Sequence, residues 1–278
     1  MVCIEGRVAS ASFTVFAILA LYQVRIIYGD YWSYIYCLAT FGSAFACVLV
    51  LPYNDIVKRS ALLGTVFGGS FVLMFIVKSP WNVFFMYFAA LSFFHFSEYF
   101  MTALYNPHRL SIDSFLLNHS FEYKAAAVAS WIEFIIEAYF FPSSKRFGML
   151  SFIGLSMIIC GEVFRKLAMI TAKSNFSHIV QSHKNDGHLL VTNGIYAISR
   201  HPAYVGWFIW SVGTQILLFN PICLVGYTYA SWTFFNERIF DEEAYLLDFF
   251  GEDYAVYMKN VATGIPFIYG CESFIKYD

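Results

Sequence analysis

Hydrophobic runs of about 20 residues recur along this chain and constrain its fold more than any other feature. A helix needs about that length to cross the hydrocarbon core of a bilayer. Runs at 10–28, 31–51, 60–77, 80–104, 121–141 and 147–170 qualify, followed by a closely spaced pair at 202–219 and 221–239. Pro52, Pro80, Pro107, Pro142, Pro202 and Pro221 fall near the joints, where a missing N–H costs least. With 59% hydrophobic and only 13% charged residues, the chain is far from a soluble domain, which carries about 25% charged ones. No small-x-small cleavage site follows the first run, so it is read as a span and not as a cleaved signal. The expected fold is all-α: a polytopic integral membrane protein with about eight transmembrane helices. It is expected to form one membrane domain over 1–278, with N-terminal transmembrane helices in 1–145 and a polar C-terminal region in 146–278.

The few charges are unevenly placed. Ten of the nineteen acidic residues lie after residue 172. No basic run is long enough to neutralise several phosphates, which argues against a nucleic-acid partner. Cys3, Cys37, Cys47, Cys160, Cys223 and Cys271 are scattered without a C-x-x-C pair, and read as free, buried thiols. His178, His183 and His188 are spaced five apart, which does not stack them on one helix face, and no metal site is expected. A positive-inside orientation with a cytoplasmic N-terminus gathers Arg7, Lys58, Arg59, Arg109, Lys173, Lys184, Arg200 and Lys259 on the cytoplasmic side. Lys145 and Arg146 dissent from it.

Two stretches break the apolar pattern. Residues 173–201 form the longest polar loop, and residues 236–260 set Ile239, Leu246, Leu247, Phe249 and Phe250 among seven acids. The second reads as an amphipathic helix leaving the last span and broken near Gly251. Arg238 and Glu242 sit four apart, on one helical face. They make either an ion pair at the membrane edge or two poles of a site holding an anion and a cationic or hydroxylated group, and spacing alone leaves both open. Arg200-His201-Pro202 followed by Tyr204 opens a helix, with proline at a favourable first-turn position. Tyr196, Tyr204 and Trp207 form either an interfacial aromatic belt or faces for a cation. Glu162 and Arg165 read either as an i,i+3 pair or as a cavity wall. No G-x-G-x-x-G follows a strand pattern, so a nucleotide-like cofactor would need a pocket made by helices and the 173–201 loop.

The segments GEVFRKLAM (161–169), SNFSHIVQ (174–181), GHLLVTNGIYAISRHPAYVGWF (187–208), GTQILLFNP (213–221) and FFNERIFDEEAYLLDFFGEDYAVY (234–257), ending in GIPFI (264–268), resemble the protein-S-isoprenylcysteine O-methyltransferase family. The resemblance implies methyl transfer from S-adenosylmethionine to the C-terminal carboxylate of farnesyl- or geranylgeranyl-cysteine on CaaX-processed proteins such as small GTPases. It makes residues 146–278 the catalytic region. It implies cofactor contacts at Gln181, His188, Leu189, Leu190, Val191, Tyr196, His201, Pro202, Ala203, Tyr204 and Glu242, and a substrate-side role for Arg238. It also implies residence in the endoplasmic reticulum membrane with the site facing the cytoplasm. The lipid bilayer is the second expected partner, the prenyl chain entering sideways between apolar helices. Rival readings are an NADPH-dependent membrane sterol reductase, a phospholipid N-methyltransferase and, outside enzymes, a transporter with Glu98, Glu133 and Glu137 as coupling acids.

Overall fold

A computed structural model describes residues 2–24, 42, 54–117 and 121–271. Eight α-helices lie among the described residues: α1 (Ile4–Val24), α2 (Asp55–Ile76), α3 (Trp81–Tyr105), α4 (Phe121–Phe140), α5 (Met149–Ala172), α6 (Pro202–Leu218), α7 (Pro221–Phe250) and α8 (Glu252–Asn260). The all-α expectation holds. Seven of the predicted spans fall on α1–α7, while the run at 31–51 and Cys37 and Cys47 lie outside the described residues. Three of these helices, α1, α2 and α3, are long and apolar enough to cross a membrane on length and composition. The others carry charges or are shorter: α4 holds Glu122, Lys124, Glu133 and Glu137, and α6 has 17 residues.

The chain divides into two compact units, residues 1–152 with 217–219, and residues 153–216 with 220–278. In the first, α1 and α2 approach at backbone distance. A Cβ added at Gly64 would come within 2.3 Å of the Phe13 carbonyl oxygen, and one at Gly68 within 2.4 Å of that of Ala17. Small residues four apart are the usual device for such close crossings between apolar helices. Phe13 then stacks on Phe96 of α3 with ring centroids 3.8 Å apart, and Tyr99 stacks on Phe115 at 4.0 Å.

Lys145 resolves its own dissent. It is 1% exposed, and its Nζ donates to the carbonyls of Leu218 at 3.0 Å and Phe219 at 2.6 Å while pairing with Glu137 at 2.5 Å. Leu218 ends α6 and Phe219 follows it, so the two carbonyls stand at the helix C-terminus, where main-chain acceptors lack intrahelical donors and the helix dipole is negative. Lys145 is therefore a capping cation and gives no vote on membrane orientation. Arg146 beside it is exposed.

In the second unit α5 and α6 cross through Gly161 and Gly206. A Cβ at Gly161 would lie 2.5 Å from the Gly206 carbonyl oxygen, and one at Gly206 2.6 Å from that of Gly161. Arg165 of α5 reaches across, donating through Nη1 to the Ala203 carbonyl at 3.1 Å and stacking on Trp207. Glu162 pairs with Lys166 at 3.2 Å, one turn on. A two-residue link, Phe219 and Asn220, joins α6 to α7, and so short a link makes them antiparallel neighbours. Asn220 ties the link down, its amide donating to Gln215 Oε1 at 3.2 Å.

Helix α7 runs unbroken from the predicted last span through the acidic stretch and stops at Gly251, whose φ of 54° lies in the left-handed region. Helix α8 restarts at once. This matches the expected amphipathic helix and its break. Among the described residues Cys3, Cys160 and Cys271 are free thiols. Only Cys271 is buried, however, and Cys160 is exposed, because it lies on a face of α5 that no described neighbour covers.

Candidate active site

The site is built around the start of α6. Ser199 accepts from the His201 N–H at 3.2 Å and donates to the Thr263 carbonyl at 2.6 Å, and the Arg200 N–H reaches the Ala262 carbonyl at 2.9 Å. The helix start is thereby laced to residues 262–263. Gly264 makes this possible: its φ is 97°, and a Cβ there would sit 2.5 Å from Ser199 Oγ. Ile265 and Ile268 follow it into a buried cluster with Val205, Phe235 and Ile239. The GIPFI segment is thus a clamp on the helix start.

Beneath the clamp lies a buried ionic cluster centred on Glu243. Its Oε1 accepts from Arg200 Nε at 2.8 Å, Tyr254 Oη at 3.3 Å and His201 Nε2 at 3.0 Å, and its Oε2 accepts from the Cys271 N–H at 2.9 Å. The Arg200 guanidinium also donates to the carbonyls of Met258 at 2.8 Å and of Val261. Burial pushes the Glu243 carboxyl upward, but the His201 hydrogen bond and the Arg200 charge outweigh it and hold it below its ordinary value. Burial raises the Tyr257 phenol to about 12, against the pull of Arg200. The sequence reading assigned no role to Glu243, although its signal is present. Phe235, Ile239 and Glu243 are the buried residues of α7 at steps of four, so an acid occupies the apolar stripe and must find partners there.

On the next face of α7 stand Arg238 and Glu242, and between them stands Tyr204. The Tyr204 hydroxyl donates to Glu242 Oε2 at 2.5 Å and accepts from Arg238 Nε at 2.8 Å. Arg238 Nη2 donates to the His178 carbonyl at 2.5 Å, and the guanidinium lies 5.5 Å from the Tyr204 ring and 5.7 Å from the Phe234 ring. Among the described residues Arg238 and Glu242 do not pair directly. That decides against the i,i+4 ion pair left open by spacing.

Tyr196, His201, Pro202, Ala203, Tyr204 and Glu242 line one cleft, joined by Asn175, Phe176 and Ser177 of the polar loop. The cleft is thus lined by the start of α6, by α7 and by the polar loop together. The His201 and Tyr204 rings are stacked at 5.6 Å with planes 7° apart. Burial, then the Glu242 charge, raises the Tyr196 phenol. The Leu189 N–H donates to Asn175 Oδ1 at 2.9 Å, which brings residues 188–191 beside the cleft. Leu190 packs with Tyr254, Tyr257 and Met258, and the His188 ring lies against Phe250 at 5.2 Å. Gln181 turns back into its own loop, donating to Ser177 Oγ at 3.0 Å and accepting from Asn185 at 3.3 Å. The structure gives Val191 partial burial only.

The donor set suits a cofactor that carries hydroxyls, an ammonium and a sulfonium. A carboxylate at Glu242 takes hydroxyl or ammonium donors, and stacked aromatic faces attract a cation. The cleft encloses about 70 Å³. Sites for drug-sized ligands run to roughly 300–1,000 Å³, so the cleft is smaller than such a site.

Residues 153–248 match the model of the isoprenylcysteine carboxyl methyltransferase (ICMT) family. The chain is 55% identical over 237 residues to the protein-S-isoprenylcysteine O-methyltransferase of Xenopus laevis, covering 84% of this chain and 82% of that protein. It is 51% identical over 237 residues to the Homo sapiens protein of the same description, covering 84% and 83%. A solved structure described as the eukaryotic intramembrane Ras methyltransferase ICMT, without a monobody, is similar with a TM-score of 0.89 and 42% identity, over 97% of this chain and 99% of that one. With relatives this similar over most of its length, the chain belongs to the isoprenylcysteine carboxyl methyltransferase family.

Proposed function

We propose that this chain transfers a methyl group from S-adenosylmethionine to the C-terminal carboxylate of a farnesyl- or geranylgeranyl-cysteine, with Arg238 on the substrate side and Glu242 on the cofactor side. One observation carries the division of roles: a cation and an anion on one face of α7 are held apart by a neutral phenol, not joined. Residues 146–278 form the catalytic region in this reading. The substrates are prenylated CaaX-processed proteins, small GTPases among them.

The chemistry asks little of the protein in proton transfer. A cysteine α-carboxylate has an ordinary pKa near 3.5 and is already ionised at pH 7, so no general base is required. When bound, S-adenosylmethionine supplies a methyl group activated by a sulfonium. Gln181, His188 to Val191, Tyr196, His201 to Tyr204 and Glu242 would hold it. Arg238 orients one carboxylate oxygen and leaves the other for attack, a positional contribution. Too tight a pairing would blunt the nucleophile. A site at the membrane edge also replaces the carboxylate's water shell with fixed dipoles, the Tyr204 hydroxyl among them.

The reading extends to location: a multi-pass protein of the endoplasmic reticulum membrane with its site facing the cytoplasm. Arg7, Lys58, Arg59, Arg109, Lys173 and Lys184 support that orientation, and the burial of Lys145 removes the main vote against it.

The test is incubation of the purified chain in lipid with labelled S-adenosylmethionine and N-acetyl-farnesylcysteine. Base-labile methyl ester is the expected product. Label in phospholipid, or cofactor binding without any ester, contradicts the reading.

A further inference from the structure

We propose that the Tyr204 hydroxyl is a positioning group that keeps Arg238 and Glu242 from neutralising each other, so that the guanidinium stays open to a substrate carboxylate and the carboxylate to the cofactor. The inference deepens the function proposed above and rests on its division of roles.

Residues four apart on a helix bring their Cβ atoms within about 5–6 Å and oppositely charged pairs there attract. Left alone, Arg238 and Glu242 would close into an ion pair, and in a partly dehydrated site that attraction exceeds its value in water. The structure shows a third group inserted. A phenol is fitted to this place because its one oxygen donates to a carboxylate and accepts from a guanidinium at once. It carries no charge that would cancel either. Tyr204 comes from α6, not α7, so its hydroxyl is placed independently of the helix that carries the two charges. The ring is fixed by stacking on His201 at 5.6 Å and on Phe235 at 5.2 Å. Arg238 is fixed in turn by Tyr204, by the His178 carbonyl and by the two aromatic rings. Its Nη1 makes no hydrogen bond among the described residues, which leaves one N–H edge for a carboxylate.

Tyr204→Phe removes the hydroxyl and keeps the ring stack. In that variant Arg238 and Glu242 are expected to pair. The KM for N-acetyl-farnesylcysteine then rises about tenfold, the size of one hydrogen bond to a charged group, and S-adenosylmethionine binding measured by calorimetry weakens. The decisive arm is the double variant Tyr204→Phe/Glu242→Gln. Gln carries no charge and forms no ion pair with Arg238, so the prenylcysteine KM returns to within about threefold of the parent, while cofactor affinity stays low. A purely structural role for Tyr204 predicts no such rescue. A double variant whose KM remains as high as that of Tyr204→Phe overturns the proposal, as does Tyr204→Phe with an unchanged KM. Thermal unfolding of each variant separates misfolding from repositioning. If Tyr204→Phe fails to fold, Glu242→Gln alone is measured: it should weaken cofactor binding and leave the prenylcysteine KM unchanged, and a raised KM contradicts the proposal. Absence of methyl ester from the parent chain instead defeats the functional reading itself.

Discussion

The Arg200 guanidinium and the Glu243 carboxylate meet at 2.8 Å with both side chains fully withdrawn from solvent. Such a pair is stable only when every remaining donor and acceptor is satisfied, and here backbone carbonyls of 258 and 261, the Cys271 N–H, His201 and Tyr254 do so. The pair therefore draws the start of α6, the C-terminal part of α7, α8 and the loop after it to one point. It sets the floor on which His201 and Tyr204 stand.

Replacing Glu243 by Ala leaves the Arg200 charge buried without its anion. Removing one partner of a buried pair costs about 3–5 kcal/mol. A fall in the unfolding midpoint of purified protein should show it, larger than that of Glu237→Ala, an exposed acid of the same helix.

The pH dependence has a definite sign. The folded-state carboxyl of Glu243 is held below its ordinary value, so it adds stability above the unfolded-state pKa, near 4.3. That contribution is lost as pH falls through the lower, folded-state value. The midpoint of the parent should drop between pH 5 and more acidic buffers. The Glu243→Gln variant should show a shallower drop over the same range, and parallel profiles would contradict the assignment.

Gly206→Ala places a methyl 2.6 Å from the Gly161 carbonyl oxygen and 2.7 Å from the Arg165 backbone nitrogen. Neither neighbour is a flexible side chain. Separating α5 and α6 at this crossing should cost roughly 1–3 kcal/mol and shift Arg165 off the Ala203 carbonyl. Thermal unfolding checks it, with Gly226→Ala as the comparison, since a Cβ at Gly226 meets nothing within 4 Å.

Lys145→Met removes the cation that caps α6 and leaves Glu137 without that partner. The loss is expected to be about 1.5–3 kcal/mol, as for hydrogen bonds from a charged donor. Arg146→Met, one residue on and exposed, should stay within about 0.5 kcal/mol. Equal effects would mean that the capping contacts contribute nothing.

Much of this was readable in the chain because hydrophobic length and spacing are local properties. The runs that became α1–α7, the break at Gly251 and the single face shared by Arg238 and Glu242 all follow from counting residues. What resisted counting is pairwise and distant. Tyr204 lies 34 residues before Arg238, and nothing in the 238/242 spacing announces a phenol arriving from another helix. Lys145 looked like a loop charge because its acceptors, the carbonyls at the end of α6 and just after it, stand 73 and 74 residues away. Glu243 sits between the two cases. Its place on the Phe235–Ile239 stripe is legible in sequence, whereas the identities of its partners Arg200 and His201 required the fold.

The division of labour between Arg238 and Glu242 is tested most directly by titrating S-adenosylmethionine into Arg238→Ala and Glu242→Ala, alongside methyl-ester formation on N-acetyl-farnesylcysteine. Arg238→Ala should bind the cofactor within about threefold of the parent while ester formation falls by about a hundredfold or more, the scale of a lost charged contact. Glu242→Ala should lose cofactor affinity first. Equal collapse of cofactor binding in both variants would contradict the account.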